Sequence, residues 1–250
     1  QFRKTYKPVS DIRLKKDRWV LALYPTEAYS QDAEMSLSEF EDFVVNAVKI
    51  NKPNPIKEWQ ALERYQQKIV DKLKNADIVR IVGKETDLTL SVKNRKFINS
   101  CGKSNMPSGE VFTGPLENSA NGKIYFEFPV CTSGNEISGI RLEFKDGKVI
   151  KASAEKNENY LLKILETDKG ARYLGEFAIG LNYSIQKFTK NILFDEKIGG
   201  TIHLAIGSSY EETGGKNKSA IHWDMIKDLR TEGELYIDDK LFMKKGKILL

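Results

Sequence analysis

Histidine and cysteine are scarce in this 250-residue sequence, with two of each. Cys101 in "NSCGKS" and Cys131 in "PVCTSG" could form one bridge, but their spacing fits neither a disulfide framework nor a thiolate zinc knuckle. Both read as small buried residues. No apolar run approaches membrane-spanning length, and the opening "QFRKTYKPVSDIRLKKDRW" lacks the apolar core of a signal peptide. The expected setting is the cytoplasm, with no membrane partner. Internal repeats and low-complexity segments are missing too. The net charge of +5 comes from lysines spread along the chain, without a basic block interleaved with aromatics. That pattern reads as a solvated surface and not as a nucleic-acid interface.

What is present is a globular balance of 40% hydrophobic and 30% charged residues. The chain opens on Gln1 without a methionine, which reads as a fragment or a processed chain. "RWVLALYPT" (18–26) predicts a buried strand bounded by proline. "SLSEFEDFVVNAVKI" predicts a helix, with Ser36 and Glu39 at capping-box spacing and Leu37, Phe40, Val44, Ala47 and Val48 on one face. "KPNP" ends it. A second amphipathic helix carries Ile56, Trp59, Leu62, Tyr65, Ile69 and Leu73, and "DIVRIVG" and "TDLTLSV" follow as strands. Residues 1–100 therefore read as an α/β unit.

From Phe97 onward glycines punctuate short apolar runs. "GKIYFEFPV", "SGIRLEF" and "GKVIKASAE" predict strands, with Asp146-Gly147 as a hairpin turn. A helix over about 158–166, then "RYLGEFAIGLN", "GTIHLAIG", "GELYID" and "KILL", make residues 101–250 a β-rich region with few helices. The expected fold class is α/β (α+β), an α/β amino-terminal unit followed by a β-rich catalytic region.

The strand period of two puts Thr201, His203 and Ala205 on one face of "TIHLAIG", away from Ile202, Leu204 and Ile206. In "IHWDM" it puts His222 and Asp224 together, opposite Ile221, Trp223 and Met225. The loop "GSSYEETGGKNKSA" can bring the two strands side by side. Two imidazoles and a carboxylate suit zinc, cobalt or manganese, although ordinary core or surface histidines would show the same spacing. Glu110 in "NMPSGEVFTGP" and Glu176 in "YLGEFAIGLN" each follow a glycine and precede an apolar run. Together the five donors could hold two divalent metals if one carboxylate bridges them.

"NMPSGEVFTGP", "GEFAIGLN", "LFDEKIGGTIHLAIGSSY" and "HWDM", in this order, resemble the signature segments of the thermophilic-type metalloaminopeptidases, the group of aminopeptidases T and S. The resemblance runs from about "RWVLALYPT" onward. It implies metal ligands at Glu110, Glu176, His203, His222 and Asp224, and a tyrosine near the reacting carbonyl at Tyr210. Glu196 of "DEK" also lies in a family motif, which implies a catalytic part for it; a salt bridge to Lys197 or a strand-end charge is the alternative. Two departures concern the cavity: an amino-terminal region of the family is lacking, and only "EETGGKNKSAI" separates Tyr210 from the His-x-Asp pair.

The activity implied is removal of amino-terminal residues from peptides with a free amino terminus. Two divalent ions, a carboxylate base at Glu110 or Glu176 and a hydrogen bond from Tyr210 would serve it. The resemblance further implies a homodimer. A two-metal phosphoesterase would use similar ligands but more aspartates and a basic phosphate clamp. A truncated, non-catalytic metal-binding domain is the third reading.

Overall fold

The computed structural model describes residues 19–132 and 134–249, together with Val9 and Ile12. Two antiparallel sheets dominate it. The larger has eight strands in the order β11 (Lys148–Ser153), β10 (Ile140–Lys145), β7 (Asn121–Phe126), β3 (Thr86–Ser91), β2 (Ile78–Gly83), β15 (Glu234–Ile237), β16 (Lys240–Lys244) and β17 (Lys247–Ile248). The smaller has five, in the order β14 (His222–Asp228), β13 (Thr201–Gly207), β12 (Leu174–Gly180), β6 (Glu110–Thr113) and β4 (Ile98–Ser100). Two-stranded pairs join β1 (Leu21–Ala22) to β5 (Asn105–Met106) and β8 (Val130–Thr132) to β9 (Asn135–Ile137). With five α-helices among the described residues, the mixed, sheet-rich class expected from the sequence is the one observed.

The five-stranded sheet is buried on both faces, and period-two alternation divides their roles. Phe177, Ile179, Ile202, Leu204, Ile206, Trp223 and Met225 face one way into the main core, which they share with Val79, Ile81, Leu88, Ile124 and Leu142 of the eight-stranded sheet. The opposite face carries the polar residues considered below. His203 was expected to point away from the apolar side. It does, but into a closed interior, at 1% exposure.

Among residues 19–77 three helices precede the two large sheets: α1 (Glu27–Asp32), α2 (Leu37–Ala47) and α3 (Pro55–Leu73). The capping box at the start of α2 forms as its spacing predicts, Ser36 accepting from the Glu39 amide and Glu39 accepting from the Ser36 amide. Phe40, Val44 and Ala47 of α2 pack with Ile185, Leu193, Phe194 and Ile198 into a second core. Helix α4 (Glu158–Leu165) packs Leu161 and Leu165 into the main core, and the short α5 (Ile192–Asp195) precedes β13. The hairpin turn has both Asp146 and Gly147 at positive φ between the paired Lys145 and Lys148, as a two-residue primed turn requires.

Several expectations fail in instructive ways. Arg18 lies outside the described residues, and the strand expected over 18–26 shrinks to Leu21–Ala22, with Leu21 50% and Tyr24 82% exposed. Its apolar run lies along an open groove between α2 and α3 and pairs only with the two residues of β5, outside both large sheets. Ile56, placed on the apolar face of α3, sits in its first turn and is exposed for the same reason. Cys131 is exposed and Cys101 half-buried, and both are free thiols, so neither is the small core residue expected. Strands from before and after residue 100 share the larger sheet, since β3 pairs with β7 and β2 with β15.

One buried polar side chain ties α3 to the site sheet. Gln66 is fully buried, and its Nε2 donates to Asn99 Oδ1 at 2.7 Å, to the Ser100 carbonyl at 2.8 Å and to the Glu110 carbonyl at 2.9 Å. A Gln66→Leu substitution removes all three bonds and sets an apolar side chain against their acceptors. It should lower stability by about 3 kcal/mol, readable from urea unfolding.

Candidate metal centre

Strand register brings the polar residues of the five-stranded sheet together. His203 pairs with Ala178 and Ile226, Ala205 with Glu176 and Asp224, Gly207 with His222, and Gly180 with Glu110. Cross-strand partners share a face. Glu110, Glu176, His203, His222 and Asp224 therefore all project from one side, with alanine and glycine between them. The small residues leave room for the large ones to converge.

The atoms meet closely. His203 Nε2 lies 3.5 Å from Glu110 Oε2 and 3.5 Å from Glu176 Oε1. His222 Nε2 lies 3.1 Å from Glu176 Oε2 and 3.4 Å from Asp224 Oδ1. Glu176 thus reaches both imidazoles, one oxygen to each. His222 Nδ1 is 2.7 Å from the Ser208 carbonyl; donating there fixes the ring with Nε2 directed at the carboxylates.

Glu196 and Lys197 enter from the segment between α5 and β13. Gly180 allows this approach, since a Cβ there would stand 2.2 Å from the Ile198 carbonyl oxygen. Lys197, fully buried, places Nζ 2.9 Å from Glu110 Oε1 and against Glu196 Oε1. Gly109, at φ +122°, abuts Asn182 so closely that a Cβ would lie 2.7 Å from the Asn182 Cβ. Asn182 Nδ2 donates to the Ala47 and Ser108 carbonyls, pinning the turn that delivers Glu110. Tyr210, which the sequence placed near the reacting carbonyl, packs its ring 5.0 Å from His222 and 5.5 Å from Phe112, centroid to centroid.

The electrostatics follow from burial of opposed charges. Burial alone would lower the His203 pKa, but Glu176 and Glu110 outweigh it and push it up to about 9. His222 is raised in the same way by Asp224 and Glu176. Asp224 is lowered to about 2, because its histidine neighbours and Lys197 overcome the burial that would raise it. Burial pushes Glu196 up to about 7 against the pull of Lys197. The Lys197 ammonium is held above the ordinary lysine range by Glu110 and Glu196, although burial opposes its charge. Desolvation, then the surrounding carboxylates, keep the Tyr210 phenol well above its usual value, so it is a donor at neutral pH.

Two donor triads result, Glu110–Glu196–His203 and Glu176–His222–Asp224, each with its donor atoms within 4.8 Å of one another. Glu196 joins the first triad, which its position in the "DEK" motif alone did not reveal. Glu110 Oε2, His203 Nδ1 and Asp224 Oδ1 are buried with no hydrogen-bond partner among the described residues. Unsatisfied buried carboxylate oxygens facing imidazoles are costly unless a cation completes them. The donor set, nitrogen and carboxylate oxygen, fits divalent zinc, cobalt or manganese.

A cavity of about 340 Å³ opens onto the cluster, lined by Glu110, Glu176, Glu196, Phe112, Tyr210 and Glu212 among others. Residues 2–247 match the family of thermophilic metalloproteases, M29. The chain belongs to that family. It is 28% identical to aminopeptidase AmpS of Bacillus subtilis (strain 168) over 88% of this chain and 56% of that protein. With aminopeptidase 2 of Geobacillus stearothermophilus the identity is 29%, over 90% of this chain and 63% of the relative. The chain thus spans 56% to 63% of the length of these curated relatives.

Two solved structures share its fold. Wild-type AmpT from Thermus thermophilus superposes with a TM-score of 0.87 at 24% identity, covering 99% of this chain and 69% of that one. The 2,5-dihydroxypyridine dioxygenase from Pseudomonas putida KT2440 superposes with a TM-score of 0.70 at 17% identity, covering 98% and 75%. Likeness at these identities concerns architecture alone. The family resemblance read in the motifs is nevertheless borne out by the match across the chain.

Because the approach of residues 196–198 depends on the missing side chain at position 180, Gly180→Ala is an informative change. It should displace that segment, separate Lys197 from Glu110 and cost about 2 kcal/mol. Denaturant unfolding reads the cost, and a crystal structure of the variant reads the displacement.

Proposed function

We propose that this chain carries the catalytic centre of a metal-dependent aminopeptidase that removes amino-terminal residues from peptides. The observation that supports it most is the convergence of six buried or half-buried donors in two adjoining triads, with Glu176 reaching a histidine of each. Glu110, Glu176, His203, His222 and Asp224 would hold two divalent cations, zinc, cobalt or manganese, with Glu196 beside Glu110 and Glu176 as the shared carboxylate. When bound, such ions acidify water and polarise a carbonyl group.

The chain's own residues supply the remainder. The cavity lining carries Glu110, Glu176, Glu196 and Glu212 against one lysine, Lys103. That imbalance attracts the positively charged end of a peptide with a free amino terminus. Glu110 or Glu176 takes the proton from the attacking water and returns it to the leaving amine. Tyr210 donates a hydrogen bond to the oxygen on which negative charge develops, and Phe112 and His222 hold its ring in place. A phosphomonoester dianion would meet the same carboxylates with a single lysine, which disfavours the phosphoesterase reading. We also propose that the protein acts in the cytoplasm as a homodimer, with neither nucleic acid nor membrane as partner. Among the described residues no helix is long and apolar enough to cross a membrane. The α/β unit of residues 1–100 and the β-rich region of 101–250 would then act as one catalytic body across their shared sheet.

Release of amino acids from unblocked and amino-blocked peptides, before and after chelation, tests the proposal. Cleavage of unblocked peptides only, abolished by chelation and restored by zinc, cobalt or manganese, is expected. Equal cleavage of both peptides, or cation binding without hydrolysis, would remove it, and turnover of a phosphomonoester would favour the alternative. Tyr210→Phe should lower kcat by about a hundredfold with KM little changed. Of Glu110→Gln and Glu176→Gln, the one that keeps its cations yet loses turnover marks the proton carrier.

A further inference from the structure

The two triads differ in the charge that surrounds them. Around His222 stand Glu176 and Asp224, with no lysine or arginine in ion-pair contact among the described residues. Around His203 stand Glu110, Glu196 and the other oxygen of Glu176, and there Lys197 contacts Glu110 and Glu196. Glu176 serves both positions, one oxygen to each. Among the described residues the first position has no ammonium beside it, whereas at the second one ammonium occupies an oxygen of each unshared carboxylate.

Lys197 is also fixed in place. Its side chain is completely buried, its backbone carbonyl accepts from the Asn182 amide at 3.0 Å, and Ile198 beside it packs into the second core. A desolvated ammonium is held only by its partners, so one oxygen of Glu110 and one of Glu196 are committed to it. Glu110 Oε2, the atom without a hydrogen-bond partner, remains directed at His203.

We infer that Lys197 is a positioning residue that makes the two cation positions unequal. The Glu176–His222–Asp224 position binds tightly, and the Glu110–Glu196–His203 position binds weakly and exchanges its cation. This rests on the two-cation reading above. The cause is Coulombic: a buried positive charge opposes a dication nearby and occupies carboxylate oxygens that would otherwise ligate it.

Calorimetric titration of the chelator-stripped chain with zinc, buffered by a competing chelator, reads this without reference to activity. Two steps with dissociation constants at least tenfold apart are expected. Asp224→Asn should remove the tight step and Glu196→Gln only the weak one. Lys197→Met should tighten the weak step at least tenfold. It should also enlarge the rise in Tm on adding zinc, because the uncompensated carboxylates make the stripped variant less stable.

Two steps of equal affinity overturn the inference, as does Lys197→Met leaving the weak step unchanged or weaker. If Lys197→Met does not fold, the order in which Asp224→Asn and Glu196→Gln lose their steps decides, and the reverse order overturns it. Binding of no cation at all would overturn the two-cation reading itself, and with it this inference.

Discussion

Burial of like charge is the constraint on which this structure turns. Four carboxylates, Glu110, Glu176, Glu196 and Asp224, share one interior space with two imidazoles and a single lysine. Isolated ionised groups in such surroundings would cost far more than a domain's net stability. The arrangement persists only if every charge has a partner, and the chain's own cations are too few to provide them. The triads are therefore places where an added cation would relieve the excess of negative charge.

The scaffold answers that constraint with rigidity. Pairing to neighbours on both sides holds β12, β13 and β6, and a strand so held cannot slip without moving every donor to the other face. Alanine and glycine at 178, 180, 205 and 207 provide the space, while Gln66 and Asn182 fix the Glu110 strand through backbone carbonyls. Tyr210 lies over the site on a short turn, held by two rings and not by a strand. Tyr210 is thus less constrained than the strand-borne donors beneath it, as loop residues usually are.

The fold does not by itself dictate this chemistry. A structure named as a dioxygenase shares the architecture at a TM-score of 0.70. What distinguishes one chain from another on such a scaffold is which side chains occupy the shared face. In this chain the glutamates of β6 and β12, the histidines of β13 and β14 and the aspartate of β14 occupy it. The M29 family match and that donor set point the same way, one through sequence pattern and the other through geometry.

Much of this was legible in the residues. The capping box of Ser36 and Glu39, the Asp146-Gly147 turn and the alternation in "TIHLAIG" and "HWDM" are local, and local rules read them. The motifs singled out Glu110, Glu176, His203, His222, Asp224 and Tyr210, and the register brings the five named donors to one face. The same rules failed where burial is decided at a distance. "RWVLALYPT" has the apolar content of a buried strand, yet the residues beside it form a groove. Cys131 is small and apolar yet exposed. The sequence by itself determined the kinds of side chain and, through period two, which of them share a face. Only the tertiary structure decided that Glu196 joins Glu110 and His203, that Lys197 stands between two carboxylates, and that strands from both halves form one sheet. Those depend on which chain segments meet, and a segment's own pattern of polar and apolar residues does not specify its neighbour.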